Sequence, residues 1–215
     1  EPISAPQPLT GEAGTMVLVH FDLWHRAFPN LTDKTRFMMK FQFLRMSEPT
    51  APTWNHQQAE FPGGNGAGQR HRNIWTRVWD WHRGAQSTLS ADGDLADAVS
   101  GLSAQDPQER VLAADVIGTH GAAAEEHVPA LSQALADDYE PVRLNAAYSL
   151  GLVGGSGLGV LSQSLASDNE GSRLAAGYGL TAAGAASQSH LQKACASPVD
   201  SSRALAAFAA GELGA

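Results

Sequence analysis

Two stretches near the start of the chain have the hydrophobic pattern of β-strands. Residues 16–19 form an apolar run behind a turn bracketed by Gly11 and Gly14. Residues 35–45 alternate, and four apolar side chains share one face: Phe37, Met39, Phe41 and Phe43. A period of two residues is typical of a strand with one covered face. The pattern predicts two strands, joined by a loop that contains Pro29, Asn30 and Asp33.

A helical pattern follows a loop rich in proline and glycine at residues 47–68. Residues 72–84 place four apolar side chains on one stripe, namely Ile74, Trp75, Val78 and Trp79. Gly84 favours a helix end, because glycine adopts positive φ without steric cost. Arginines interleaved with aromatic residues are also typical of a nucleic-acid platform. Because the tryptophans have helical spacing, we favour a helix that packs on the first segment.

The chain repeats itself from residue 95 onward. Arg110, Arg143, Arg173 and Arg203 recur at intervals of 33, 30 and 30 residues, each within a similar Ala- and Leu-rich segment. A glycine follows each arginine by eleven residues: Gly121, Gly154, Gly184 and Gly214. This period predicts helix–turn–helix units that stack into a solenoid. We interpret the repeated arginine as a structural residue bonded to inter-repeat loops rather than as a catalytic one.

Composition and charge divide the chain near residue 90. All five tryptophans precede that point. Residues 1–90 hold nine Lys or Arg and seven Asp or Glu, which gives +2, whereas residues 91–215 hold five and fifteen, which gives −10. An acidic second half disfavours nucleic acid as a partner. No apolar run approaches the roughly 20 residues that span a bilayer, so we expect no membrane association and a cytoplasmic location.

The first segment resembles the phytanoyl-CoA dioxygenase family. The resemblance rests on Gly-Thr-Met-Val-Leu-Val-His (14–20), Leu-Trp-His (23–25), Pro-Asn-Leu-Thr (29–32) and Thr-Arg-Phe (35–37). It implies an Fe(II)- and 2-oxoglutarate-dependent oxygenase. His25 is then the distal iron ligand, and Arg36, eleven residues later, pairs with the far carboxylate of 2-oxoglutarate. Imidazole is a good Fe(II) ligand, and a guanidinium binds a carboxylate with two hydrogen bonds.

The other two iron ligands of that family come as His-x-Asp or His-x-Glu on a distant earlier strand. His20-Phe-Asp22 fits this pattern, but it directly precedes His25, and we interpret the match as a coincidence. We therefore expect both missing ligands to precede Glu1, and this chain to be inactive alone. The resemblance assigns no catalytic side chain beyond the metal and co-substrate ligands.

The repeats resemble HEAT-like repeats of the short phycobilisome-lyase type. Together the two resemblances imply an α+β multidomain fold, in which a partial double-stranded β-helix (jelly roll) precedes an all-α HEAT-like solenoid. We expect C-terminal strands of the oxygenase domain at 1–48, a loop and a Trp-rich helix packed on them at 49–90, and HEAT-like repeats at 91–215.

Two functions follow as hypotheses. The first is the C-terminal part of a dioxygenase that hydroxylates a small organic molecule, with a repeat module that binds a protein partner. The second is a non-catalytic HEAT-repeat scaffold with an inert barrel remnant. A third, a lyase or chromophore-handling module, rests on the repeat type alone.

Overall fold

A computed structural model describes residues 7–19, 25–43, 45–52, 54–55, 57–62, 72–85 and 93–214. The chain divides into two compact units, residues 1–46 and 47–215. Each is considered by itself.

The described residues of the first unit form turns and irregular backbone, with neither a strand nor a helix. The predicted turn at Gly11–Gly14 is present, and Thr15 N donates to Glu12 O at 3.0 Å. Phe37 and Met39, on the expected apolar face, are 89% and 84% exposed. A strand exists only when a neighbouring strand pairs with its backbone, and the described residues of this unit form no such ladder. The predicted partial double-stranded β-helix, and with it the α+β fold class, is therefore wrong for this structure.

The second unit is helical throughout its described residues, which confirms the predicted solenoid. Helix α1 spans Arg72–His82. Gly84, whose φ is +69°, follows its end. Four units of two helices follow it in the described chain. Their helices are α2 (Leu95–Gly101) with α3 (Pro107–Thr119), α4 (Val128–Ala134) with α5 (Glu140–Val153), α6 (Gly155–Ser164) with α7 (Glu170–Ala182), and α8 (Gln188–Cys195) with α9 (Asp200–Glu212). Short 3-10 helices at Gly121–His127 and Gly184–Ser187 precede α4 and α8.

Proline and glycine determine where several of these helices begin and end. Pro107 and Pro141 lie in the first turns of α3 and α5, where a missing N–H costs no hydrogen bond. The four glycines that follow the repeated arginines have positive φ, from +54° at Gly121 to +75° at Gly154. Each of them lies just after the second helix of a unit.

Small residues bring the second helices of neighbouring units very close together. A Cβ added to Gly179 of α7 would lie 2.6 Å from the backbone oxygen of Ala147 in α5. Buried serines also join the units: Ser149 Oγ donates to Ala114 O of α3 at 2.6 Å, and Ser172 Oγ donates to Leu135 O at the end of α4 at 2.7 Å. Each bond joins one unit to the preceding unit. Leucines and alanines fill the remaining space, including Leu131, Leu150, Leu161 and Leu180.

The repeated arginine binds the loop between the two helices of its own unit. Arg143 Nη1 donates to Asp137 O and Asp138 O at 2.6 and 3.1 Å, and Arg173 Nη1 bonds Ser167 O and Asp168 O likewise. Arg110 and Arg203 repeat the arrangement. The predicted structural role is confirmed, with one correction: these loops lie within units rather than between them.

Arg110 additionally reaches the next unit. Its Nε and Nη2 donate to Oδ2 and Oδ1 of Asp137 at 2.7 and 2.9 Å, and both side chains are largely buried. Hydrogen bonding from Arg110 lowers the pKa of Asp137 below its ordinary value. The ion pair therefore stabilises the fold at neutral pH, and its contribution is lost only as the pH falls through that lowered pKa.

The next junction lacks this ion pair. Ser167 occupies the position of Asp137, since both lie six residues before the arginine of their unit. Each accepts a hydrogen bond from the N–H two residues later. Arg143 Nε is consequently buried with no hydrogen-bond partner.

We expect Ser167→Asp to stabilise the protein. The new carboxylate would accept from Arg143 Nε as Asp137 accepts from Arg110, which should raise the free energy of unfolding by roughly 1 kcal/mol in urea titrations. Ser197→Asp is the matched control, because Nε of Arg173 is not left buried and unpaired in the described chain. An equal gain in both variants would contradict the explanation.

We expect Gly179→Ala to destabilise the protein by about 1–2 kcal/mol, because the backbone of α5 cannot yield to the new methyl group. Gly159→Ala in α6 is the control, since an added Cβ there meets no atom within 4 Å. It should instead stabilise by roughly 0.5–1 kcal/mol through helix propensity. Thermal melting followed by circular dichroism measures both, and a stabilising Gly179→Ala would refute the close packing of α5 and α7.

Candidate functional site

The structure places His25 and Arg36 in the first unit, on irregular and exposed backbone. Arg36 Nη1 lies 3.4 Å from Phe28 O, within the loop that separates the two positions. This is a long hydrogen bond on an exposed side chain, so most of the guanidinium faces solvent. His20, Asp22 and Trp24 lie outside the described residues.

Asn30 organises the loop between His25 and Arg36. Its Oδ1 accepts from Thr32 N at 3.2 Å and from Thr32 Oγ1 at 2.8 Å, and its Nδ2 donates to Lys34 O at 2.6 Å. An Asn side chain that bonds the backbone two residues on is a common turn former. Asn30 and Thr32 therefore form a hydrogen-bonded turn within the predicted loop.

The described residues do not by themselves fit an iron centre. A facial triad needs two imidazoles and a carboxylate on one ion. No group of three or more His, Cys, Asp or Glu side chains is clustered for a metal within the part of the chain that the structure describes. His25 would supply one ligand only, so no chemical step at iron can be derived from this arrangement.

A second candidate site lies on the face formed by the second helices of the repeats. The residue five positions after each repeated arginine is Asp115, Tyr148, Tyr178 or Phe208. The three aromatic members, here named the aromatic ridge, are 40%, 46% and 50% exposed, which is unusual for large apolar side chains. Burial, and secondarily the neighbouring Tyr178, raises the pKa of Tyr148, so these two phenols are close together.

Arg77 of helix α1 reaches the second helices beside this ridge. Arg77 Nη1 forms a 3.0 Å ion pair with Asp115, whose side chain is only 6% exposed. Arg77 also lines a pocket of about 200 Å³ with Tyr148, Leu152 and Ala182. The ion pair therefore connects the Trp-rich helix to α3. Its expected packing on the first segment stays a prediction.

The segment before α1 also contacts that helix. Trp79 Nε1 donates to Ala59 O at 3.3 Å, and its ring meets the ring of Trp54 edge-on at 5.7 Å. Trp81 Nε1 donates to Glu48. The tryptophans therefore serve mainly to fix α1 and leave Arg77 directed at Asp115.

The sequence interpretation missed the aromatic ridge. Aligning the repeats on their arginines would have revealed the column of Asp115, Tyr148, Tyr178 and Phe208, but a column alone does not tell whether its residues are buried. Leu150 and Leu180 form a similar column two residues later, and both are fully buried.

Among the described residues, no helix is both long and apolar enough to cross a membrane. No curated protein matches the chain. Two family models match separate parts of it. Residues 95–181 match the model of HEAT repeats, and residues 1–38 match the model of phytanoyl-CoA dioxygenase (PhyH). Both resemblances indicated by the sequence motifs are confirmed, so the chain joins a segment similar to that dioxygenase family to a HEAT-repeat array.

Proposed function

We propose that this chain contributes to an Fe(II)- and 2-oxoglutarate-dependent dioxygenase that hydroxylates a small organic molecule, and that its HEAT repeats bind a protein partner. His25 is the iron ligand and Arg36 the anchor for 2-oxoglutarate. The division into residues 1–48, 49–90 and 91–215 belongs to the same proposal.

The observation that supports the dioxygenase most is the family match to residues 1–38, because it includes both His25 and Arg36. The two residue types suit the two ligands. Neutral imidazole binds Fe(II), and a guanidinium binds a carboxylate with two parallel hydrogen bonds, which a lysine cannot reproduce. Arg36 makes a single long bond to Phe28 O, so reorienting it toward a ligand would break little.

A non-catalytic scaffold is the alternative, and one observation favours it. The described residues contain no group of three or more His, Cys, Asp or Glu side chains clustered for a metal. A segment of this kind could persist without activity while the repeats alone perform the function. Turnover in the full-length protein distinguishes the two possibilities.

We expect the full-length protein to release succinate from 2-oxoglutarate when Fe(II) is present. Arg36→Ala should weaken this activity by about 30-fold or more, because truncating one partner of a charge pair removes roughly 2 kcal/mol or more. His25→Ala should abolish it. Titration of the protein with 2-oxoglutarate under anaerobic conditions measures the affinity directly, and Arg36→Ala should reduce it.

Arg26→Ala is the matched control, since Arg26 is an exposed arginine that stacks near Phe28, with 5.9 Å from Cζ to the ring centroid. It should retain both activity and affinity. Undiminished turnover in His25→Ala and Arg36→Ala would refute the site assignment. No turnover in the unmodified protein would favour the scaffold.

A further inference from the structure

A helix of the same chain contacts the first member of the residue column on the second helices. Arg77 of α1 pairs with Asp115 at 3.0 Å. Farther along, the equivalent positions are Tyr178 and Phe208, and both are about half exposed. The ion pair shows that a basic side chain from another helix reaches this column.

The ridge extends along each helix to neighbouring positions. Leu174 lies four residues before Tyr178, hence on the same face of α7. It is 44% exposed. On α9 the residue four positions after Phe208 is Glu212, which is exposed. The open end thus combines an apolar strip with a carboxylate at its edge.

The charge of the array favours a cationic ligand. Residues 91–215 hold fifteen acidic and five basic residues. Four of the five are the repeated arginines, whose guanidinium groups bind loop carbonyls. The array as a whole is therefore acidic, and Glu212 adds a carboxylate at the edge of the open ridge. Tyrosine and phenylalanine faces also attract guanidinium groups.

We propose that the open ridge, formed by Tyr178, Phe208 and Glu212, binds a helix of a partner protein that carries aromatic side chains and arginines, as α1 does. The aromatic side chains of the partner pack on Tyr178 and Phe208, and an arginine pairs with Glu212. This inference rests on the proposed role of the repeats as a protein-binding module, and it is independent of the dioxygenase.

The test uses a fluorescently labelled synthetic peptide with the sequence of residues 72–83, which holds three arginines and one aspartate. Fluorescence anisotropy measures its binding to the intact chain. We expect saturable binding that weakens as salt is added, because opposite charges are screened. A second peptide, in which all three arginines are replaced by glutamate, should bind at least about tenfold more weakly.

Substitutions in the chain locate the binding surface. Tyr178→Ala combined with Phe208→Ala should weaken peptide binding by about tenfold or more, as expected for aromatic anchors. Glu212→Gln should weaken it less and reduce its salt dependence. Val199→Ala is the control, because Val199 is also 40% exposed but lies in the loop before α9. Circular dichroism checks that every variant keeps the helical content of the original.

Three outcomes would overturn the proposal. The first is no binding of the arginine peptide, and the second is equal binding by the double variant and the Val199→Ala control. The third is that the chain binds no peptide but self-associates in sedimentation velocity, and that the double variant does not self-associate. In that case a second copy of the chain would be the ligand of the ridge. If the protein binds the peptide but releases no succinate, the ridge proposal stands and the dioxygenase proposal fails.

Discussion

Close contact between the second helices of successive units is the constraint on which the array depends. Gly179 lies against the backbone of α5, so a single methyl group there would collide with a carbonyl oxygen. Ser149 Oγ donates to Ala114 O of the preceding unit, Ser172 Oγ donates likewise to Leu135 O, and both serines are buried. Buried polar groups in native structures are usually hydrogen-bonded in this way. Small residues thus set the spacing, and these hydrogen bonds add links between units.

The charged residues of the array also have structural roles. The repeated arginines are used within the fold, where each holds the loop of its own unit, and Arg110 ties its unit to the next through Asp137. Residues 91–215 as a whole are acidic, with fifteen acidic and five basic residues. Tyr178 and Phe208 add exposed aromatic side chains on the second helices. A basic, aromatic helix suits that combination, and Arg77 of α1 already pairs with Asp115.

The first unit differs from the array in the exposure of its side chains. Its described residues have almost no buried side chains, and Phe37 and Met39 are exposed. The family match nevertheless covers His25 and Arg36. The resemblance to the dioxygenase family is therefore a resemblance of sequence. The structure adds the turn that Asn30 forms between the two residues. A catalytic role depends on ligands that the described residues do not bring together.

The sequence by itself determined the features that depend on local geometry. Periodic arginines and glycines predicted the units, because the residues that end a helix and adopt positive φ are a property of a few adjacent positions. Alternation at residues 35–45 failed, since it specifies two faces but cannot supply the neighbouring strand that makes a ladder. Only the tertiary structure decided that Tyr178 is exposed while Leu180 is buried, that α1 lies on α3 through Arg77, and that Arg143 Nε is unpaired. Those outcomes depend on which helix lies beside which, and the spacing of residues along the chain does not contain that information.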